Sequence, residues 1–144
     1  MKTKNLKETK KIAEILIRKI SALKKNSATL ITLSGDLGAG KTTLTQQIGE
    51  ILQIKEKINS PTFVISKTYL IKNKKFPWKK LIHIDAYRLE REEDLELIGL
   101  NNDLKNHENL IFLEWPEMIK KWLPKNDIKI QLKYINENER EIQF

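Results

Sequence analysis

Cysteine is absent from this 144-residue chain. A disulfide framework, a thiolate nucleophile and any Cys-ligated zinc or iron–sulfur site are excluded with it. Histidine is nearly absent, with only His83 and His107, so a histidine-rich metal centre is excluded too. No apolar run approaches the ~18 residues that a membrane-spanning helix requires. The N-terminus is basic but lacks the continuous apolar stretch of a signal peptide. The expectation is a soluble cytoplasmic protein that does not engage a membrane. At the usual ~100–200 residues per domain, residues 1–144 make a single domain, and 40% hydrophobic residues suffice for one core.

Acidic residues are outnumbered, 19 against 27 Lys and Arg, for a formal charge of +8. The excess is local. Residues 1–25 carry nine basic side chains and only two acids, Glu8 and Glu14. Lys67 to Lys80 adds six lysines without an acid. Asp85, Glu90, Glu92, Glu93, Asp94 and Glu96 form an opposing acidic stretch. A basic surface steers a protein toward nucleic acid or an acidic partner. Lysine-rich solvated faces also arise from composition alone, and charge does not choose between the two readings.

Periodicity predicts an α/β chain. Ile12, Ile15, Leu16, Ile20 and Leu23 recur at helical spacing among lysines, giving an amphipathic helix over Leu6 to Leu23. Ala28 to Leu33 is a short, nearly uncharged run suited to a strand buried on both faces. From Lys41 the period becomes helical again through Leu44, Ile48, Ile51 and Leu52. Thr62 to Ile71 and Leu81 to Asp85 are candidate strands, joined as a hairpin by turn residues between them. An acidic helix over Glu90 to Gly99 follows, with Leu95 and Ile98 inward. Leu110 to Leu113 is a second strongly apolar strand. Pro116 opens a short helix to Leu123, and Asp127 to Ile135 pairs with Arg140 to Phe144 across an Asn-rich turn.

Between the first buried strand and its helix lies Gly35-Asp36-Leu37-Gly38-Ala39-Gly40-Lys41-Thr42, a complete G-x-x-x-x-G-K-[ST] phosphate loop. Glycines let the backbone turn tightly enough to aim several N–H groups at phosphate oxygens. The helix that follows adds its positive end. Lys41 reaches the β- and γ-phosphates, and the Thr42 hydroxyl ligates Mg²⁺. The chain is therefore expected to bind a nucleoside triphosphate with Mg²⁺. A guanine-reading Asn/Thr-Lys-x-Asp motif is missing, since Asn73-Lys74-Lys75-Phe76 lacks the Asp and Asn101-Asn102-Asp103-Leu104 the lysine. Adenine is the expected base.

Asp85 and Glu114 each close an apolar strand downstream of this loop. A carboxylate there can hold Mg²⁺ or orient the attacking water, and spacing leaves both roles open to both residues. Ser60-Pro61-Thr62 is either a nucleotide-sensing loop or a turn that starts a strand. Trp115 suits stacking or packing, and His83 suits packing.

Four motifs stand in order: Gly35 through Thr43, Ser60-Pro61-Thr62-Phe63, His83-Ile84-Asp85-Ala86-Tyr87-Arg88-Leu89 and Glu114-Trp115-Pro116-Glu117. Together they resemble the TsaE (YjeE) family, bacterial ATPases needed for threonylcarbamoyladenosine modification of tRNA. The resemblance implies a three-layer P-loop NTPase-type α/β domain, a mixed sheet with a parallel core flanked by helices. It implies ATP or ADP with Mg²⁺ as ligands. It implies TsaD and TsaB as partners, a TsaB–TsaD heterodimer reset by ATP binding and hydrolysis, with tRNA met indirectly or weakly. By motif, Asp36, Leu37, Gly38, Ala39, Gly40, Lys41, Thr42 and Thr43 would contact the nucleotide. Thr42 and Glu114 would hold the metal, and Asp85, Lys41 and Glu114 would carry catalysis. Thr62 matches the threonine of a mobile loop, Glu8-Thr9 an N-terminal pair near the nucleotide, and Trp115 an aromatic beside it. Two rivals share the phosphate loop: a small-molecule kinase, which needs an acceptor pocket and usually carries an arginine-bearing lid that is not evident here, and a non-hydrolysing ATP-dependent switch.

Overall fold

The computed structural model describes residues 1–61 and 65–144. Seven strands form one sheet: β1 (Lys2–Thr3), β2 (Thr29–Ser34), β3 (Ser66–Leu70), β4 (Lys80–Asp85), β5 (Asn109–Glu114), β6 (Ile128–Tyr134) and β7 (Arg140–Gln143). Their order is β1-β7-β6-β2-β5-β4-β3. The middle four, β6, β2, β5 and β4, run parallel, while β1, β7 and β3 join antiparallel at the flanks. The parallel core with antiparallel edges is the mixed sheet that the family resemblance implies.

Helices cover both faces. On one, α1 (Leu6–Ser21) and α2 (Lys41–Ile51) bury Ile12, Leu16, Ile20, Leu44 and Ile48 against Ile31, Leu33, Phe112 and Ile130. On the other, α3 (Glu92–Leu97), α4 (Leu100–Lys105) and a 3₁₀ segment, Pro116–Trp122, bury Leu95, Leu100 and Ile119 against Leu30, Ile82, Ile84, Ile111 and Leu113. Each such side chain contributes about 1.5–3 kcal/mol on burial. β5 is buried at all six positions, which is why Leu110 to Leu113 reads as an unbroken apolar run rather than an alternating one.

Local chemistry sets the ends of these elements. Asn5 caps α1, its side-chain oxygen accepting the Glu8 N–H (2.9 Å), while the Glu8 carboxylate accepts the Lys4 N–H (2.7 Å). This reciprocal pair satisfies two donors at the helix start. α1 ends at Ser21, two residues short of the expected Leu23, which is exposed. The acidic helix is shorter than expected and stops before Gly99, whose left-handed backbone (φ 73°) separates it from α4. Leu95 is buried as expected, and Ile98 is half-buried. Neither α4 nor the two-residue β1 is expected from the sequence. The β3–β4 and β6–β7 hairpins form as expected. Among the described residues no helix is long and apolar enough to cross a membrane.

Candidate nucleotide site

The parallel strands β2, β4 and β5 end side by side, and open α/β sheets bind ligands at such carboxyl ends. In the strand register Leu33 lies opposite Glu114, and Glu114 opposite Asp85. The phosphate loop leaves β2 at the same edge. Gly35 (φ 141°) is required there: a Cβ at this position would lie 2.3 Å from the Leu132 carbonyl oxygen of β6. Gly40 (φ 99°) turns the chain into α2 and offers no side chain to cap it. The first N–H groups of an eleven-residue helix are thus left for a ligand, with the positive end of its dipole behind them.

Lys41 is only 6% exposed. Its ammonium donates to the carbonyls of Gly35 (2.6 Å) and Asp36 (3.1 Å) and lies 4.6 Å from the centre of the Trp115 ring. Backbone oxygens and an aromatic face therefore satisfy a cation that would otherwise be costly to bury. Trp115 adopts a left-handed backbone (φ 58°, ψ 49°) and packs its ring 5.2 Å from that of Tyr87. A bulky residue in that conformation costs of order 1–3 kcal/mol, and such strain collects at working sites.

The two strand-end acids are held differently. Asp85 Oδ1 accepts the N–H of Tyr87 (3.0 Å), a local turn that opens the 3₁₀ segment Ala86–Arg88. Glu114 Oε1 accepts from the Thr42 hydroxyl (3.3 Å) and lies 2.8 Å from His83 Nε2. Thr42 and Glu114 thus present two oxygen donors of the kind Mg²⁺ takes, on the wall that also carries the helix N-terminus. Among the described residues no group of three or more His, Cys, Asp or Glu side chains could hold a metal on its own. A pair of oxygen donors fits Mg²⁺, which commonly uses one or two protein ligands and completes its shell with phosphate and water.

These groups line one cleft of about 580 Å³. It brings together Lys41, Thr42, Thr43, Asp85, Glu114 and Trp115, with Leu37, Gly38 and Gly40 of the loop and Tyr87. Asp36 is exposed on the loop and Ala39 is buried beneath it. Thr9 is not in this cleft. It lies on a second cavity of about 270 Å³ that shares Gly38, Gly40 and Thr43 as its wall, with its hydroxyl 2.9 Å from that of Thr3. Thr62 lies outside the described residues. His83, read from sequence as packing, is fully buried but also bonds to Glu114. Its sequence signal is its position two residues before Asp85, hence on the same face of β4.

The family model for TsaE, threonylcarbamoyl adenosine biosynthesis protein, matches residues 3–142. The chain is 39% identical to the tRNA threonylcarbamoyladenosine biosynthesis protein TsaE of Bacillus subtilis, over 99% of this chain and 82% of that one. It is 35% identical to its Haemophilus influenzae counterpart, over 89% and 75%. The crystal structure of YdiB from Bacillus subtilis superposes with a TM-score of 0.70 at 32% identity, covering 99% of this chain and 80% of that one. The chain belongs to the TsaE family, which takes part in tRNA threonylcarbamoyladenosine biosynthesis.

Proposed function

We propose that this protein is an Mg²⁺-dependent ATPase whose binding and hydrolysis of ATP reset or activate a TsaB–TsaD assembly as it modifies the adenosine beside the tRNA anticodon. One observation carries the reading: Lys41, the Thr42–Glu114 pair and Asp85 line a single cleft at the uncapped start of α2. The shared description of the relatives supports the pathway. tRNA is met indirectly or weakly, through the partners.

The loop N–H groups and the start of α2 receive the triphosphate. Lys41 is already positioned within the loop, and its ammonium exchanges the carbonyls of Gly35 and Asp36 for phosphate oxygens. Thr42 and Glu114 would hold Mg²⁺, which when bound supplies positive charge at the β- and γ-phosphate oxygens. Asp85, oriented by the Tyr87 N–H, aligns a water molecule with the γ-phosphorus. The water oxygen bonds to that phosphorus as its bond to the β–γ bridging oxygen breaks, giving ADP, inorganic phosphate and a proton. Trp115 and Tyr87 wall the cleft, and Thr62, on sequence grounds, senses the γ-phosphate. A site lacking a full set of groups for the transition state turns over slowly, and a partner that completes it raises the rate by ~10³–10⁵.

The test is ATP hydrolysis by the purified protein, alone and with purified TsaB–TsaD. Strong stimulation by the pair, lost in Lys41→Ala together with nucleotide binding, is the expected result. ATP bound but unturned in the presence of the pair would overturn the ATPase reading. Phosphoryl transfer to a metabolite would establish a kinase instead.

A further inference from the structure

His83 is wholly buried, and the Glu114 side chain it meets is only 4% exposed. From the interior, its Nε2 reaches Glu114 Oε1 at 2.8 Å, while Thr42 reaches the same oxygen at 3.3 Å from the loop side. The register shows how this arises. β4 and β5 are parallel neighbours, His83 lies opposite Phe112 and Asp85 opposite Glu114, so the long Glu114 side chain meets the ring of His83 one step back. A carboxylate buried without a donor is strongly disfavoured. With its proton on Nε2, His83 gives Glu114 Oε1 a second and closer donor beside the Thr42 hydroxyl. The other ring nitrogen, Nδ1, is buried and has no partner among the described residues. The ring's one hydrogen bond among those residues is therefore that of Nε2 with Glu114, and no competing bond there turns the ring away.

We infer that His83 is a positioning residue for metal binding: its Nε2–H fixes Glu114 Oε1 against Thr42, so that the pair is preorganised for Mg²⁺. The inference rests on the proposed Mg·nucleotide site. Hydrogen-bond partners behind a metal ligand typically contribute 10–100-fold in metal affinity or activity. His83 does not line the cleft, so its removal leaves the phosphate loop and Lys41 in place.

The experiment reads binding of a fluorescent ADP analogue across a Mg²⁺ titration, with a matched series in EDTA. His83→Leu is expected to raise the Mg²⁺ concentration for half-maximal enhancement by about 10–100-fold, with metal-free nucleotide affinity unchanged. His83→Gln keeps an amide N–H near the position of Nε2 and is expected to stay within about threefold of the parent, a rescue that filling space alone would not give. If the leucine variant fails to fold, His83→Asn, polar but too short to reach Oε1, carries the same expectation. A Mg²⁺ dependence in the Leu or Asn variant equal to the parent's would overturn the role of His83 alone. Absence of any Mg²⁺ dependence in the parent would instead overturn the metal reading beneath it.

Discussion

At the carboxyl ends of β2, β4 and β5 stand Lys41, Asp85 and Glu114, all buried and all lining the candidate nucleotide cleft. At the amino ends of the same strands stand Trp78, Lys79, Glu108 and Asn109. There the polar groups are either locked inside or left in water. The Trp78 indole N–H donates to the Thr29 hydroxyl (3.0 Å), and the Asn109 amide to the Asp103 carbonyl (3.1 Å), both within the fold. Lys79 and Glu108 pair at the surface. One end of the sheet holds charge in place around an open cleft, and the other turns its uncharged polar groups inward and leaves its charged pair at the surface. The difference teaches that stability and chemistry are separable here, and substitutions at the two ends should move different measurements.

Gly35→Ala is the substitution that breaks this separation. Its Cβ would meet the Leu132 carbonyl while the backbone keeps a φ that alanine avoids, so β6 and the loop cannot both stay in place. A loss of about 3 kcal/mol in unfolding free energy is expected, together with loss of nucleotide binding. Denaturant titration beside a binding assay checks it. Trp78→Phe sharpens the separation. It leaves the buried Thr29 hydroxyl without its donor and should cost about 1–3 kcal/mol in the same titration, with nucleotide affinity unchanged. Weakened binding in that variant would show that the two ends are coupled.

The smallest effect concerns pH. The hydrogen bond from Lys79 holds the Glu108 carboxyl below its ordinary value. A carboxyl depressed in the folded state contributes stability above the unfolded pKa of ~4.3, lost as pH falls through the folded value. Burial instead raises Asp103, only partly offset by the charge of Lys80, so that group opposes folding at neutral pH and the opposition fades on acidification. Lys79→Ala should lower the melting temperature slightly at pH 7, a difference that disappears as pH falls through the folded value of Glu108. Turnover at neutral pH should match the parent.

Much of this architecture was legible in sequence. Ala28 to Leu33 and Leu110 to Leu113 announce themselves because strands covered on both faces are apolar throughout. The phosphate loop reads directly because its glycines are forced by backbone geometry, as Gly35 against Leu132 shows. The remainder depends on contacts distant in the chain. β1 is two residues long and exists through its register with β7. α4 is a polar run of Leu-Asn-Asn-Asp-Leu-Lys whose start is set by the turn at Gly99. The adjacency of Asp85 and Glu114, and with it the bond from His83, follows from the register of β4 on β5, which no local pattern encodes. Thr9 reaches the loop's second cavity through the packing of α1 and β1.

The separation of roles at the strand ends is tested most directly by Asp85→Asn, assayed for Mg·ATP binding and for hydrolysis in the presence of TsaB–TsaD. Asp85 is oriented by its own turn and bonds neither Lys41 nor Thr42 among the described residues. Affinity within about threefold of the parent, with hydrolysis reduced by ~10² or more, is the predicted result. Hydrolysis at the parent's rate would contradict the assignment of Asp85 to the attacking water.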